Sequence, residues 1–154
     1  MAIIMREGNV FDSDADIICH QVNCQGVMGS GVAKEVRERY PIVYEEYRDL
    51  CERCMNDPGQ NLGIAQLVPV DEEGSRWIAN CFGQEDFGYD GKQYTSVEAL
   101  KQALGTVAEI ARDGDMVVAM PYKIGCVRGG ADWQEVLKVI DEEFKDCTVE
   151  IWKL

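Results

Sequence analysis

The sequence predicts an α/β fold, a single three-layer α/β/α sandwich around a mixed, mostly parallel sheet, and three observations carry that prediction. Short runs rich in β-branched residues alternate along the chain with longer segments of helical periodicity. The run "ADIICHQVN" from Ala15 reads as a near-continuous apolar strand, the pattern of an interior strand covered on both faces. Two such strands, this one and "DMVVAM", lead into glycine-rich loops that open onto helices. At 154 residues the chain has the size of one domain with its own core. No internal repeat, long linker or low-complexity segment divides it, so residues 1–154 are read as one domain.

Taken in order, "MAIIM" is a short strand and "REGN" the turn after it, followed by a small apolar step at Val10 and Phe11. The second strand, from Ala15, has apolar density without helical spacing and ends in a glycine cluster. From Gly31, "GVAKEVRERYP" sets Val32, Val36 and Tyr40 on one helical face. Pro41 interrupts or restarts this helix, because its ring disfavours helical geometry in the residue before it. The continuation "IVYEEYRDLCERCM" carries Val43, Tyr47, Leu50 and Cys54 on one side, and Pro58-Gly59 marks a turn. "LGIAQLVPV" and "SRWIANCF" are strands separated by the acidic turn "DEEG". Thr95 and Glu98 have the spacing of a capping box, and Val97, Leu100, Leu104, Val107 and Ala111 then recur at helical intervals. "DMVVAM" is a short strand flanked by Gly114-Asp115 and Pro121. Trp133, Val136, Leu137, Ile140 and Phe144 mark the inner face of a last helix, and "CTVEIWKL" closes the chain as a strand.

Fifteen basic residues against 28 acidic ones give a formal charge of −13, a field that repels nucleic-acid backbones and anionic lipid. General nucleic-acid binding is therefore not expected. A small phosphorylated ligand is admissible, because backbone N–H groups in a concave loop or at a helix start hold phosphate without a cation. No stretch approaches 18 uncharged apolar residues, and the N-terminus lacks a basic segment followed by an apolar run. Neither a membrane span nor a signal peptide is expected, which makes the protein cytoplasmic by default. The odd total of seven cysteines fits a reducing compartment better than a closed disulfide framework. Cys51 and Cys54 form a C-x-x-C pair, for which structural, metal-binding and redox readings stay open; the second half of a zinc site is missing locally, and His20 is the single histidine. No metal and no cofactor is assigned.

Two loops carry the chemistry. In "NCQGVMGSGVA", Gly26, Gly29 and Gly31 permit tight backbone positions, and the helix that follows contributes its positive end, so an anion cradle is expected. The glycine spacing is neither G-x-G-x-x-G nor a P-loop. Asn23 offers a donor and an acceptor to ribose hydroxyls, or stabilises its own turn. In "PYKIGCVRGGADW", Gly125, Gly129 and Gly130 supply backbone donors, with Arg128 as a phosphate contact or a solvated rim residue. Asp132 stands three residues before Glu135, so it is either a helix cap or a ligand or catalytic carboxylate. A third segment, "WIANCFGQEDFGYDG", brings Asn80, Phe82, Gln84, Phe87 and Tyr89 near a strand end, where aromatics sit beside a base or anchor the loop.

With these residues in hand, the chain resembles the macrodomain family, in particular the branch with small ADP-ribose-processing proteins and the terminal ADP-ribose protein glycohydrolase. The resemblance runs from "REGNVFDSDADIICHQVNCQGVMGSGVAKEVRERYP" through "WIANCFGQ" and "YTSVEAL" to "MPYKIGCVRGGADW" and "VEIWKL", nearly the whole chain in the same order. It implies ADP-ribose or an ADP-ribosylated substrate as partner. It also implies a ligand-binding set: Asn9 and Val10 at the first turn; Gly26, Met28, Gly29, Ser30, Gly31 and Val32 beside the distal ribose and phosphates; Asn80, Phe82 and Gln84; Pro121, Ile124, Gly125, Cys126, Val127, Arg128, Gly129 and Gly130 around the diphosphate; and Trp152 stacked near adenine. Asn23 resembles the asparagine that contacts the distal ribose.

Two departures stand out. Where the family often has glycine-aspartate, with the aspartate receiving the adenine amino group, this chain has Gly8-Asn9, so weaker base discrimination is expected. The lysine that attacks the distal ribose in the glycohydrolase branch is absent, since Asn80 and Cys81 stand near its position. Hydrolysis at the distal ribose, of ADP-ribose 1''-phosphate or an ester-linked ADP-ribosyl group, then falls to Asn23, Asp132 and His20 as catalytic candidates, with orientation supplying most of the effect. The competing reading is a non-catalytic ADP-ribose-binding module.

Overall fold

The computed structural model describes residues 2–154; Met1 of the predicted first strand lies outside the described residues. β1 (Ala2–Glu7) leads into a short 3-10 turn at Val10–Asp12, then β2 (Ile17–Val22). Helices α1 (Gly31–Arg39) and α2 (Pro41–Arg53) follow, with Tyr40 as the joint between them, so Pro41 restarts the helix in the first-turn position where its missing N–H costs nothing. The hairpin β3 (Ala65–Pro69) and β4 (Trp77–Phe82) precedes α3 (Val97–Gly114), β5 (Val117–Pro121), α4 (Trp133–Glu143) and β6 (Thr148–Lys153).

The six strands form one sheet in the order β1-β6-β5-β2-β4-β3. Each neighbouring pair is parallel except β3 with β4, which gives the mixed, mostly parallel sheet expected. Alternation along β2 divides its side chains between two cores. Ile17 and Cys19 pack with Leu100, Leu104, Val136 and Ile140 of α3 and α4, while Ile18 and Val22 pack with Val36, Val43 and Tyr47 of α1 and α2. Both faces of the interior strands are thus covered, and this is why their apolar density lacks the half-polar alternation of an exposed sheet.

Two local expectations are corrected. The cap of α3 is Ser96, whose hydroxyl accepts from Ala99 N, and the Thr95 hydroxyl instead donates to the Gly125 carbonyl 30 residues away. The buried side of α2 is Val43, Tyr47 and Cys51, with Leu50 and Cys54 at its half-buried margin.

Candidate functional site

The site begins where two central strands part. β2 pairs with β4 along all six residues, but with β5 through Ile17 to Val118 and Ile18 to Ala119. Beyond that point the chain leaves β2 for α1 on one face of the sheet and leaves β5 for α4 on the other. A crevice opens between the two loops, as it does wherever neighbouring strands of an open sheet send their connections to opposite faces. It holds a cavity of about 390 Å³.

One wall of this cavity is the first loop, and Asn23 folds it. The Asn23 amide donates to the Val27 carbonyl (3.0 Å), and its Oδ1 accepts from Gln25 N (2.9 Å) and from the Tyr47 hydroxyl (2.8 Å). Burial holds the Tyr47 phenol well above its ordinary pKa, so it stays a donor. Met28 is 1% exposed and pins the loop into the core, while Gly26 sits behind it against Cys51. Neither reaches the cavity lining, whereas Asn23, Gly29, Ser30, Gly31 and Val32 do. Ser30 makes no side-chain cap bond, so the first-turn N–H groups of α1 face the cavity end of the helix unclaimed by a cap.

The opposite wall is the second loop, and its seat is built from distant residues. Tyr94 N and Thr95 N donate to the Gly129 carbonyl (2.7 and 2.9 Å), Thr95 Oγ1 donates to Gly125 O (2.7 Å), and Gln21 Nε2 reaches both Thr95 Oγ1 and Gln84 Oε1 (2.7 Å each). Pro121, Ile124, Gly125, Val127, Arg128 and Gly129 line the cavity from this side, joined at its rim by Gln84, Phe87 and Tyr89. The Arg128 guanidinium lies over the Tyr89 ring at 4.7 Å. Cys126 is turned inward, its thiol donating to Ile124 O (3.5 Å), and burial pushes its pKa up to about 11. Gly130 packs under the backbone of Lys92 and Gln93.

His20 lines the cavity from β2 and is 1% exposed. Asn80 Nδ2 donates to Gln66 Oε1 (3.1 Å), which leaves Asn80 Oδ1 as acceptor for His20 Nε2 and places the imidazole proton there. Nδ1 is then an unprotonated nitrogen, buried and without a partner among the described residues. Burial lowers the imidazole pKa to about 4, against the opposing effect of the Asn80 bond, so the ring is neutral near pH 7. Asn80 itself lies on the sheet between His20 and Gln66, and Phe82 packs on Tyr47 with ring centroids 5.7 Å apart; neither lines the cavity. Asp132 is exposed and caps α4, its carboxylate accepting from Glu135 N (3.3 Å), again outside the lining.

A second cavity of about 250 Å³ adjoins the first through shared walls at Val32, Pro121 and Tyr122. Asn9, Val10, Phe11 and Trp152 form its sides. Gly8, at φ +127°, lets the indole lie close, since a Cβ there would stand 3.3 Å from Trp152 Cζ3. Glu35 also lines this cavity and receives Asn9 Nδ2 and Arg39 Nε, at 2.8 Å each.

The charged residues lining the larger cavity are Lys123 and Arg128, and no carboxylate is among them. Sequence reasoning missed Lys123, Tyr122, Gln21, Thr95 and Glu35. Tyr122 divides the two cavities, with the ammonium groups of Lys123 and Lys153 5.6 and 5.0 Å from its ring centroid. The signal for Lys123 lies in the backbone, where it takes φ +61°, a conformation disfavoured for a non-glycine residue. Among the described residues no group of three or more His, Cys, Asp or Glu is placed to hold a metal ion, and the Cys54 thiol donates to Asn61 Oδ1 (3.6 Å).

Comparison with known proteins agrees with this geometry. The Macro domain family model matches residues 19–140. An ADP-ribose 1''-phosphate phosphatase from Scheffersomyces stipitis is 32% identical over 152 residues, covering 86% of this chain and 87% of that protein. A DNA ADP-ribosyl glycohydrolase from Thermus aquaticus is 27% identical over 94% of this chain, which spans 39% of that longer protein. Among solved structures, a macrodomain protein from Streptomyces coelicolor superposes with a TM-score of 0.79 at 28% identity, covering 98% of each chain. With a split sheet, two glycine-lined walls and a family match across most of its length, this chain belongs to the macrodomain family.

Proposed function

We propose that the protein binds ADP-ribose across the two adjoining cavities and hydrolyses a bond at the distal ribose of an ADP-ribose derivative. One observation carries this reading: a glycine-lined chamber whose charged lining groups are Lys123 and Arg128 adjoins a slot walled by Trp152, in a molecule of net charge −13. A dianionic diphosphate suits the first chamber and a flat base the second. On this reading the base lies beside Trp152 and the diphosphate passes Tyr122 to the start of α1. The distal ribose then reaches Asn23, whose amide has one N–H beyond the one given to Val27.

The reaction class follows from what faces that ribose. His20 Nδ1 is neutral and accepts a hydrogen bond from a ribose hydroxyl or a water, and its low pKa makes it an orienting acceptor rather than a proton store. Catalysis then rests on orientation and on backbone donors aimed at developing negative charge. The Scheffersomyces stipitis relative supports ADP-ribose 1''-phosphate as substrate, and the Thermus aquaticus relative supports a conjugate of ADP-ribose. A binding-only module is the second reading. It is favoured by the lack of a carboxylate in the cavity lining and by the engagement of Asp132 as a cap.

Calorimetric titration with ADP-ribose, with ADP and ribose 5-phosphate as controls, tests the ligand. Saturable binding that prefers ADP-ribose is the expected result. Phosphate release from ADP-ribose 1''-phosphate and loss of label from ADP-ribosylated protein test the chemistry; binding without turnover in either assay would leave the module reading in place.

A further inference from the structure

Both ends of the Asn9 side-chain amide are already engaged. The Asn9 oxygen is turned to Phe11 N (3.0 Å), where it caps the short turn, and its amide nitrogen donates to Glu35. Glu35 comes from a different element, α1, and is among the residues that line the slot. Its two oxygens are not equivalent. Asn9 Nδ2 and Arg39 Nε both donate to Oε2 at 2.8 Å, and among the described residues no donor reaches Oε1. Arg39 is held in turn over the Phe11 ring, 5.1 Å from its centroid, so the carboxylate is fixed from two sides with one oxygen open.

Glu35 is the one carboxylate side chain lining this indole-walled slot, whose other charged side chain is Lys153, and a fixed anionic acceptor there fits a flat heterocycle that carries an exocyclic amine. We propose that Glu35, positioned by Asn9 and Arg39, is the group that selects an amino-purine over a 6-oxo-purine in this cavity. This inference rests on the reading that the two cavities hold ADP-ribose. Its chemistry is that of acceptor against donor. The 6-amino group of adenine donates to Oε1 with charge assistance, whereas the carbonyl of hypoxanthine would set an oxygen against a carboxylate.

The test compares ADP-ribose with inosine diphosphate-ribose by calorimetry on the wild type, Glu35→Gln and Glu35→Ala, with thermal unfolding as a check on folding. In Glu35→Gln the carbonyl oxygen stays on Asn9 and Arg39, and the amide nitrogen takes the place of Oε1, so the acceptor becomes a donor. The wild type is expected to prefer ADP-ribose by about tenfold or more. Glu35→Gln should level or reverse that preference, and Glu35→Ala should level it without reversal. Tight ADP-ribose binding with no preference in the wild type, or a preference that both variants retain, would overturn the role of Glu35 and leave the ligand reading standing. Absence of saturable binding by either nucleotide to folded wild type would instead overturn the ligand reading, and the inference with it.

Discussion

Replacing Gly129 by alanine sets a methyl group against Thr95 Oγ1, 2.5 Å from the Gly125 carbonyl oxygen and 2.9 Å from Gln21 Nε2. Thr95 and Gln21 can move their side chains, but the Gly125 oxygen is backbone, and relief there requires the loop to shift by about 1 Å to reach ordinary contact distance. Such a shift stretches the Tyr94 N and Thr95 N bonds to Gly129 O, now 2.7 and 2.9 Å, and the Thr95 to Gly125 bond, now 2.7 Å. Losing two or three such bonds at about 1 kcal/mol each costs about 2–3 kcal/mol. For a domain of this size that lowers Tm by about 5–10 °C. Because Gly125 and Gly129 line the larger cavity, ADP-ribose affinity should fall by about tenfold or more in the same variant. Differential scanning calorimetry of the ligand-free protein and titration with ADP-ribose read the two effects. Gly74→Ala, outside both cavities, is the control. No atom lies within 4 Å of a Cβ there, so it carries only the cost of a left-handed residue at φ +66°, about 1–2 kcal/mol. A Gly129→Ala protein that melts with the wild type and binds ADP-ribose equally well would refute the account of the loop's seat.

Three further outcomes follow from the site. Tyr47→Phe removes the hydroxyl shared by the Asn23 carbonyl (2.7 Å) and its side-chain oxygen (2.8 Å), and should cost about 1–3 kcal/mol and weaken ADP-ribose binding, read by melting and titration. Asp132→Ala should lower stability by about 1 kcal/mol, while Asp132→Asn, which can still cap, melts close to wild type. Turnover of ADP-ribose 1''-phosphate should be unchanged in both; loss of turnover in a fully folded Asp132→Asn protein would return Asp132 to the chemistry. Burial lowers His20 to about 4 from 6.5, so between these values the unfolded chain binds a proton that the fold does not. The resulting stability is complete above about pH 6.5 and is lost as pH falls towards 4, about 3 kcal/mol in all. His20→Asn should accordingly lose less Tm than wild type between pH 7 and pH 4.5, and equal losses would contradict the neutral, buried imidazole.

Features set by near neighbours were legible in the sequence. The helix break at Pro41, the cap at Asp132 and the inner face of α3 each follow from spacings within one or two turns. The glycine loops were legible because a strand that runs into glycine and then into a helix has few other structures available. Thr95 shows where this stops. It and Ser96 are both competent caps, and the Glu98 spacing favours Thr95. The choice is made by Gly125 and Gln21, 30 and 74 residues away, which claim the Thr95 hydroxyl for the second loop. Glu35 was hidden for a similar reason. On α1 it reads as one more charge in an i,i+4 pair with Arg39, and only the packing of α1 against the first turn brings its carboxylate to Asn9.

The overall charge of −13 and a diphosphate ligand stand in apparent conflict, and the placement of charge resolves it. Exposed charges more than a Debye length apart, about 8 Å at physiological ionic strength, are largely screened, so the field a bound ligand meets is that of its own cavity. In the larger cavity that field comes from Lys123, Arg128 and the uncapped end of α1. The smaller cavity is lined by charges of both signs, Glu35 and Lys153. The gradient along the site is thus in its acceptor: the slot holds a carboxylate beside Lys153, and the charged groups of the chamber are cations next to helix N–H groups. A ligand with a donor on its base and negative charge on its diphosphate meets complementary partners in one direction, and in the other sets its diphosphate beside the Glu35 carboxylate. On the reading proposed here, this gradient fixes which ribose is delivered to Asn23 and His20, a step that precedes any chemistry and that an acidic exterior does not oppose.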